Sequence, residues 1–220
     1  MPRAAAQKKV LGHYTPDYIA GVTNTFNYKN LEISFLVDAS VGGELFSGTN
    51  RIGNYTGVLE QTMQGRDAAN GGLNYYVANT STGPKKTLVS GGNAPSGAVV
   101  YDDGMIFNGV YADGTPNTSV LSAQEYYKAS YNISEAYIYS STFVKMREIK
   151  LTYNVNKSLV KKLGLQSASI TAAGRNLFFI YKDVPNIDPE TAYNTGNAQG
   201  LELYSLPSTR NFSLNVNLKF

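Results

Sequence analysis

The chain has 220 residues and a formal net charge of +3, and charged residues make up 16% of it, below the roughly 25% of ordinary soluble domains. It contains no Cys and a single His, which excludes disulfides and thiolate metal sites. The basic residues are scattered and do not alternate with aromatics, so nucleic acid is not an expected partner. The 17 Tyr residues are typical of the aromatic girdles of membrane β-barrels, and equally of sugar-binding surfaces.

Alternation of apolar and polar side chains predicts two strands, at 18–28 and 31–41, after a loop at 1–16. Lys29-Asn30 between the strands is a tight-turn signal, so we expect a hairpin. In the second strand one face is apolar and the other largely polar. The apolar positions of that strand are Leu31, Ile33, Phe35, Val37, Ala39 and Val41.

Residues 42–139 show little regular strand pattern and are rich in Gly, Pro, Asn, Ser and Thr. We expect a long loop here, with a helical turn at 58–65 and a small hairpin at 98–110. A loop of this length is unusual inside a compact domain, but outer-membrane barrels carry such loops on their extracellular side.

A third strand is predicted at 140–155, and its alternation raises a question about two cations. Counting back from Ile149 and Leu151 places Lys145 and Arg147 on the apolar face. A cation on the lipid face at the bilayer midplane costs about 2–4 kcal/mol. Either both cations lie above the apolar band near lipid phosphates, or a β-bulge shifts the register.

The rest of the chain predicts a connector at 156–166 with a helical turn at 158–163 that ends at Gly164, a strand at 167–180 and a loop at 181–208. The last strand, at 209–220, alternates to its final residue and has the roughly 9–11 residues of a tilted transmembrane strand. A one-residue slip would place its Asn side chains in lipid, so the register is strongly specified. The apolar, lipid-facing positions predicted for this closing strand, which also carry the aromatic assembly signal of outer-membrane barrels, are Phe212, Leu214, Val216, Leu218 and Phe220.

Loop length provides a separate argument for a barrel. If the last strand runs inward, the long loops at 42–139 and 181–208 are extracellular and the short connections at 29–30 and 156–166 are periplasmic, as in outer-membrane barrels. No run of about 18 apolar residues is present, so a transmembrane helix is not predicted. The N-terminus lacks the apolar segment of a signal peptide, and we therefore expect a C-terminal piece of a longer protein.

Several ordered motifs carry a resemblance to a known family. Residues 143–153, Gly174-Arg175-Asn176-Leu177-Phe178, Asp188-Pro189-Glu190 and the terminal strand resemble the C-terminal end of SusC/RagA-type TonB-linked (TonB-dependent) outer-membrane proteins. Upstream, residues 16–18, 24–26, 28–31, 42–43 and 112–117 are similar to the same family.

The resemblance implies an all-β fold, an antiparallel transmembrane barrel of about 22 strands with an internal plug. This chain would supply about five of those strands and two extracellular loops. Such proteins import oligosaccharides or peptides with energy from the inner-membrane TonB complex, and a SusD-like surface lipoprotein caps the barrel. The plug and the TonB-contacting N-terminal region are missing here, and five strands leave open edges in lipid, so unaided transport is not expected.

No catalytic residue, cofactor or metal ligand is predicted. His13 is interpreted as a loop histidine. Asp188-Pro189-Glu190 is interpreted as turn chemistry, although loop carboxylates also occur in glycoside hydrolysis and Ca²⁺ binding. The other loop carboxylates considered are Asp102, Asp103 and Asp183.

Two further groups are candidate contact residues. Glu148, Lys150 and Arg175 are predicted to face the lumen, where Arg175 either belongs to a functional cluster or pairs with a carboxylate such as Glu148 and holds the wall together. Aromatic side chains of the extracellular loops are candidates for stacking on a ligand or packing against the lipoprotein, unless they only cover their own loop. These are Tyr101, Tyr111, Tyr126, Tyr127 and Tyr204.

Two classes of function remain open at this point. The first is a barrel segment of a TonB-dependent importer in the bacterial outer membrane. The second is a soluble or secreted β-rich carbohydrate-binding module with Tyr-rich loops. A soluble module has to bury the even-numbered side chains of the last strand against a second sheet, whereas a barrel wall leaves them uncovered by protein.

Overall fold

A computed structural model describes residues 8–92, 94–191 and 196–220. The parts of the predicted loops at 1–7 and 192–195, and Asn93, lie outside the described residues. The structure is built mainly of antiparallel sheets, which confirms the all-β class. It divides into two compact units, one of Met1–Leu11 with Ser47–Tyr137 and one of Gly12–Phe46 with Ile138–Phe220.

The elements follow one another along both units. The strands are β1 (Tyr18–Tyr28), β2 (Leu31–Val41), β3 (Glu44–Ser47), β4 (Leu73–Thr80), β5 (Gly83–Leu88), β6 (Val100–Met105), β7 (Leu121–Ser122), β8 (Ile138–Ser140), β9 (Phe143–Asn154), β10 (Ser167–Lys182), β11 (Leu201–Glu202) and β12 (Asn211–Lys219). The α-helices are α1 (Gly48–Thr56), α2 (Ala123–Ser130) and α3 (Lys157–Lys162), and 3₁₀ turns occur at Glu60–Met63, Ala68–Asn70 and Ser134–Tyr137. None of the helices in the described residues has the length and hydropathy needed to cross a membrane.

The five long predicted strands form one antiparallel sheet in the order β1-β2-β9-β10-β12. The largest difference from the predicted bounds is the start of β9, at 143 instead of 140. The predicted hairpin of β1 and β2 is confirmed, and Lys29 in its turn has a φ of 53°. The helical turn predicted after β9 is confirmed as α3, and Gly164 beyond it adopts a φ of +71°.

The sheet has one apolar and one polar face. Because the register pairs apolar with apolar positions, with Asn24 opposite Phe35 as an exception, the apolar side chains form a continuous surface. On β12 of this surface Leu214, Val216 and Leu218 are 71%, 60% and 49% exposed, so no second layer of the described protein covers them. Large side chains on this apolar face include Val22, Phe26, Ile33, Phe35, Ile149, Leu151, Ile170, Leu214, Val216 and Leu218.

A β-bulge at Arg147 decides the register question raised by the sequence. Leu36 and Val37 of β2 are consecutive, but their partners on β9 are Glu148 and Met146, so Arg147 is an extra residue. The bulge reverses the alternation N-terminal to it, and Lys145 therefore pairs with Asp38 on the polar face. Of the two alternatives, the bulge is the correct one.

The prediction of little regular structure at 42–139 is wrong. This segment contains α1, α2 and a four-stranded antiparallel sheet in the order β5-β4-β6-β7. The hairpin predicted at 98–110 is also wrong, because β6 is a single strand that pairs with β4 and β7. The helical turn predicted at 58–65 corresponds to the 3₁₀ turn Glu60–Met63. The strands of this segment are short, so each contains too few residues for the alternation of apolar and polar side chains to be recognised in the sequence.

In the second unit a small core lies beside one end of the five-stranded sheet. Leu45 of β3 packs with Val184 and Ile187, and Tyr139 of β8 covers them. Strands β11, β3 and β8 form a three-stranded sheet there. The segment that follows β10 is thus held in place by buried apolar contacts of Val184, which is fully buried.

Candidate functional site on the polar face of the sheet

Glu148 is the acceptor for two cations on the polar face. Arg175 Nε donates to Glu148 Oε2 at 2.6 Å, and Lys150 Nζ lies 2.6 Å from Glu148 Oε1. The predicted pairing of Arg175 with Glu148 is therefore confirmed. All three side chains lie on the face opposite Leu151, as do Thr152 and Thr171, whose hydroxyls are 2.9 Å apart.

We expect that Arg175→Ala lowers the free energy of unfolding by only about 0.2–1 kcal/mol, because exposed ion pairs contribute little. The Arg175 side chain is 62% exposed, whereas Glu148 is 15% exposed and serves two cations. Glu148→Ala is therefore expected to be the more destabilising change. Urea unfolding of both variants measures the difference, and an Arg175→Ala loss above about 2 kcal/mol would contradict this account.

A larger charge network lies beyond the bulge and is formed by Asp38, Lys145, Arg147, Asp188 and Glu190. Lys145 is its buried member, with 1% exposure. Its Nζ lies 3.1 Å from Asp188 Oδ2, 2.6 Å from Glu190 Oε2 and 4.5 Å from the centre of the Phe179 ring. Two carboxylates and an aromatic face thus replace the water that the ammonium loses on burial.

The bulged residue Arg147 contacts Glu190, which also binds Lys145, and Asp38 of β2. Its guanidinium donates to Glu190 through both terminal nitrogens, at 3.0 and 2.5 Å, and its Nε donates to Asp38 Oδ2 at 2.6 Å. A bidentate pair of this kind is directional as well as strong. Arg147 also donates to Asn176 Oδ1 at 3.0 Å, and Asn176 has a φ of 53° where the β9–β10 register shifts.

The acidic partners are presented by a turn in the segment after β10. Asp188 Oδ1 accepts from the Glu190 backbone N–H at 2.9 Å, and the Thr191 hydroxyl donates to the Asp188 carbonyl at 2.6 Å. Lys182 Nζ also donates to the Ile187 carbonyl at 2.7 Å. The predicted turn chemistry of Asp188-Pro189-Glu190 is confirmed, and the same residues have the further role of holding this segment on the sheet.

The network keeps both turn carboxylates ionised. For Asp188 burial, the largest single effect, raises the pKa, but hydrogen bonds from Ser208, the Glu190 backbone and Lys145 together lower it below its usual value. For Glu190 burial again acts against ionisation, and hydrogen bonds from Arg147 and Lys145 prevail and lower the pKa. The carboxylates are therefore charged partners of the two cations at neutral pH.

A cavity of about 680 Å³ adjoins this network in the second unit. Arg147 and Glu190 form part of its wall, together with the phenol of Tyr14 and the carboxylates of Glu44 and Glu202. Glu202 is 1% exposed and accepts a hydrogen bond from the Ser205 backbone N–H at 3.0 Å. The cavity thus offers charged and hydroxyl groups next to an apolar ring, Phe143.

The five candidate tyrosines fall into two groups. Tyr126 stacks on Phe107 with ring centres 4.0 Å apart, and the Tyr127 hydroxyl donates to the Gln61 and Gln64 carbonyls. These two rings therefore pack against their own segment. The remaining three are 42–61% exposed, and their role as ligand or partner contacts stays a prediction. They are Tyr101, Tyr111 and Tyr204.

The charge network is the part of the site that the sequence did not reveal. Two features of the sequence belong to this network: a pair of cations at positions that the alternation assigns to the apolar face of a strand, and an acidic turn more than 40 residues later. Nothing in the sequence pairs these groups, because the contact depends on the bulge and on the path of the segment after β10.

The chain is similar to curated proteins of one kind. No family model matches the chain. Over 223 residues it is 26% identical to TonB-dependent receptor P3 of Formosa agariphila, covering 99% of this chain and 18% of that protein. TonB-dependent receptors P26 and P39 of the same organism are 26% and 22% identical over 96% and 99% of the chain.

These matches support the TonB-dependent receptor family. The all-β structure of this chain is compatible with that family. The chain spans only 17–18% of the length of the curated relatives that it matches.

Proposed function

We propose that this chain forms five neighbouring wall strands and the attached extracellular loops of a SusC/RagA-type TonB-dependent importer in the bacterial outer membrane. It corresponds to the C-terminal portion of such a receptor. The complete receptor imports oligosaccharides or peptides together with a SusD-like lipoprotein, is inserted by the outer-membrane assembly machinery, and contacts the TonB complex through its N-terminal region. The resemblance of residues 143–153 and 174–178 and the matches to curated receptors support this proposal.

The observation that carries the proposal is the uncovered apolar face. A soluble carbohydrate-binding module would bury Leu214, Val216 and Leu218, yet these side chains are 49–71% exposed. Exposing these three apolar side chains to water would cost a free energy of about 25 cal/mol for each Å² of apolar surface. Acyl chains around a barrel remove that penalty while the polar face looks toward the lumen.

Site-directed labelling of introduced cysteines tests this function, and these 220 residues contribute no Cys of their own. In the receptor that carries this chain, we expect Leu214→Cys and Val216→Cys to react with a lipophilic maleimide but not with a membrane-impermeant one. Asn215→Cys and Asn217→Cys, which project from the polar face, are expected to show the opposite preference. Mass spectrometry of outer-membrane fractions measures the labelled fraction.

The matched pairs control for local chain mobility, because each contrast involves adjacent residues of one strand. Equal reactivity of odd and even positions with the impermeant reagent would contradict a lipid-exposed face. Protection of the even positions from both reagents would instead favour a protein layer over them, as in the soluble module.

A further inference from the structure

One end of the five-stranded sheet carries exposed lysines without acidic partners. They belong to the β1–β2 turn and to α3. No carboxylate of the described residues lies within ion-pair distance of any of them. We call this group the lysine rim; its members are Lys29, Lys157, Lys161 and Lys162.

Backbone contacts place these lysines at the same end. Asn30 Nδ2 donates to the Asn154 carbonyl at 2.6 Å, so the β1–β2 turn lies beside the end of β9, from which the chain enters α3. The rim therefore extends along this end of the sheet from the β1–β2 turn to α3.

Helix α3 combines this charge with exposed apolar side chains. Val160 is 2% exposed and anchors the helix, whereas Leu159 and Leu163 are 53% and 71% exposed. Leu163 directly follows α3 and its backbone N–H donates to the Leu159 carbonyl at 3.3 Å, so these two leucines project on one side. Lys157 and Lys161 are likewise four apart and lie on a different side. This is the pattern of a short interfacial helix.

We propose that the lysine rim binds the anionic headgroups of phospholipids in the leaflet at this end of the barrel, while Leu159 and Leu163 enter the interface. The inference rests on the proposed membrane-spanning function. Each lysine near an anionic surface contributes about 1 kcal/mol, equivalent to about a fivefold preference for one headgroup over a zwitterionic one. The lysine stems add apolar contact as the ammonium groups reach toward phosphate.

Local lipid composition at α3 can be measured with a fluorophore on Ser158→Cys, an exposed position of that helix. The receptor is reconstituted in phosphatidylcholine bilayers that contain spin-labelled phosphatidylglycerol or spin-labelled phosphatidylcholine. We expect phosphatidylglycerol to quench about fivefold more strongly at low salt, and the ratio to fall in 1 M NaCl because salt screens exposed charges.

A charge-matched pair of variants isolates the rim. Lys157→Gln/Lys161→Gln/Lys162→Gln is expected to bring the quenching ratio close to one. The control with the same loss of charge changes three exposed lysines of the other unit and is expected to keep the wild-type ratio. These control changes are Lys8→Gln, Lys85→Gln and Lys128→Gln.

A wild-type ratio near one, or an equal loss in both triple variants, would overturn the inference. If the alternating cysteine pattern on β12 is present while the ratio is near one, only the lipid site fails. If that alternating pattern is absent, the membrane-spanning function fails and this inference fails with it.

Discussion

Replacing Lys145 by Met is expected to lower the free energy of unfolding of the receptor by about 3–5 kcal/mol, because breaking a buried ion pair leaves an uncompensated charge. The Asp188 side chain is 5% exposed and would lose its cation while staying buried. Met is similar to Lys in length, so the change removes charge more than volume. Urea unfolding of the receptor in detergent measures the effect.

Lys150→Met is the matched control for this prediction. Lys150 lies on the same strand and face, but its side chain is 42% exposed and pairs with Glu148 near solvent. Its replacement is expected to change the free energy of unfolding by about 0–1 kcal/mol. Equal losses for Lys145→Met and Lys150→Met would show that the network does not depend on a buried cation.

The pH dependence gives a second readout of the same contact. In the wild type the pKa values of Asp188 and Glu190 are lowered on folding. Their stabilisation is therefore complete above the unfolded pKa values, about 3.9 and 4.3, and is lost as pH falls through the folded values. Lys145→Met removes one of the contacts that lower the pKa of both carboxylates, so the difference between wild type and Lys145→Met is expected to shrink as pH falls below about 4.

Placing a cation on the apolar face of β12 is expected to cause a large loss of folded receptor. Val216 pairs with Ile170 and is 60% exposed on that face. If acyl chains surround it, Val216→Arg costs about 2–4 kcal/mol near the bilayer midplane. We expect little folded receptor in the outer membrane, measured as the fraction that migrates in the compact, heat-modifiable form on gels.

Asn215→Arg tests the same substitution one position away. Asn215 pairs with Thr171 on the polar face, where an arginine remains hydrated, so near wild-type amounts of folded receptor are expected. The proposal predicts a clear difference between these neighbours. Comparable losses for both variants, or full tolerance of Val216→Arg, would argue against a lipid-exposed surface.

Long strands with strict alternation were predictable because their signal is local. In β2 and β12 each apolar side chain is two residues from the next, and a single face has to avoid water. The capping box of α2 was equally local: the Ser122 hydroxyl accepts from the Glu125 backbone N–H, and the Glu125 carboxylate accepts from the Ser122 backbone N–H. That signal was present in the sequence but was missed within a segment interpreted as loop.

The candidate site was only partly predictable, because some of its contacts join residues that are far apart in the chain. Arg175 and Glu148 could be paired in advance because adjacent antiparallel strands place them side by side. Lys145 could not be paired with Asp188, since 43 residues separate them in the chain. The buried salt bridge forms only when the segment after β10 folds back and the Val184 and Ile187 side chains fix it against Leu45.

By itself the sequence determined which residues form the five long strands and which of their faces is apolar, because both follow from a two-residue period, and it offered the pairing of Arg175 with Glu148 as one of two alternatives. Only the tertiary structure decided that Arg147 is a bulge and that Ser47–Tyr137, most of the segment interpreted as loop, belong to a separate folded unit. It also decided that Lys145 is buried against two carboxylates. The physical reason is that bulges, short paired strands and buried ion pairs are stabilised by partners distant in the chain, which local alternation does not encode.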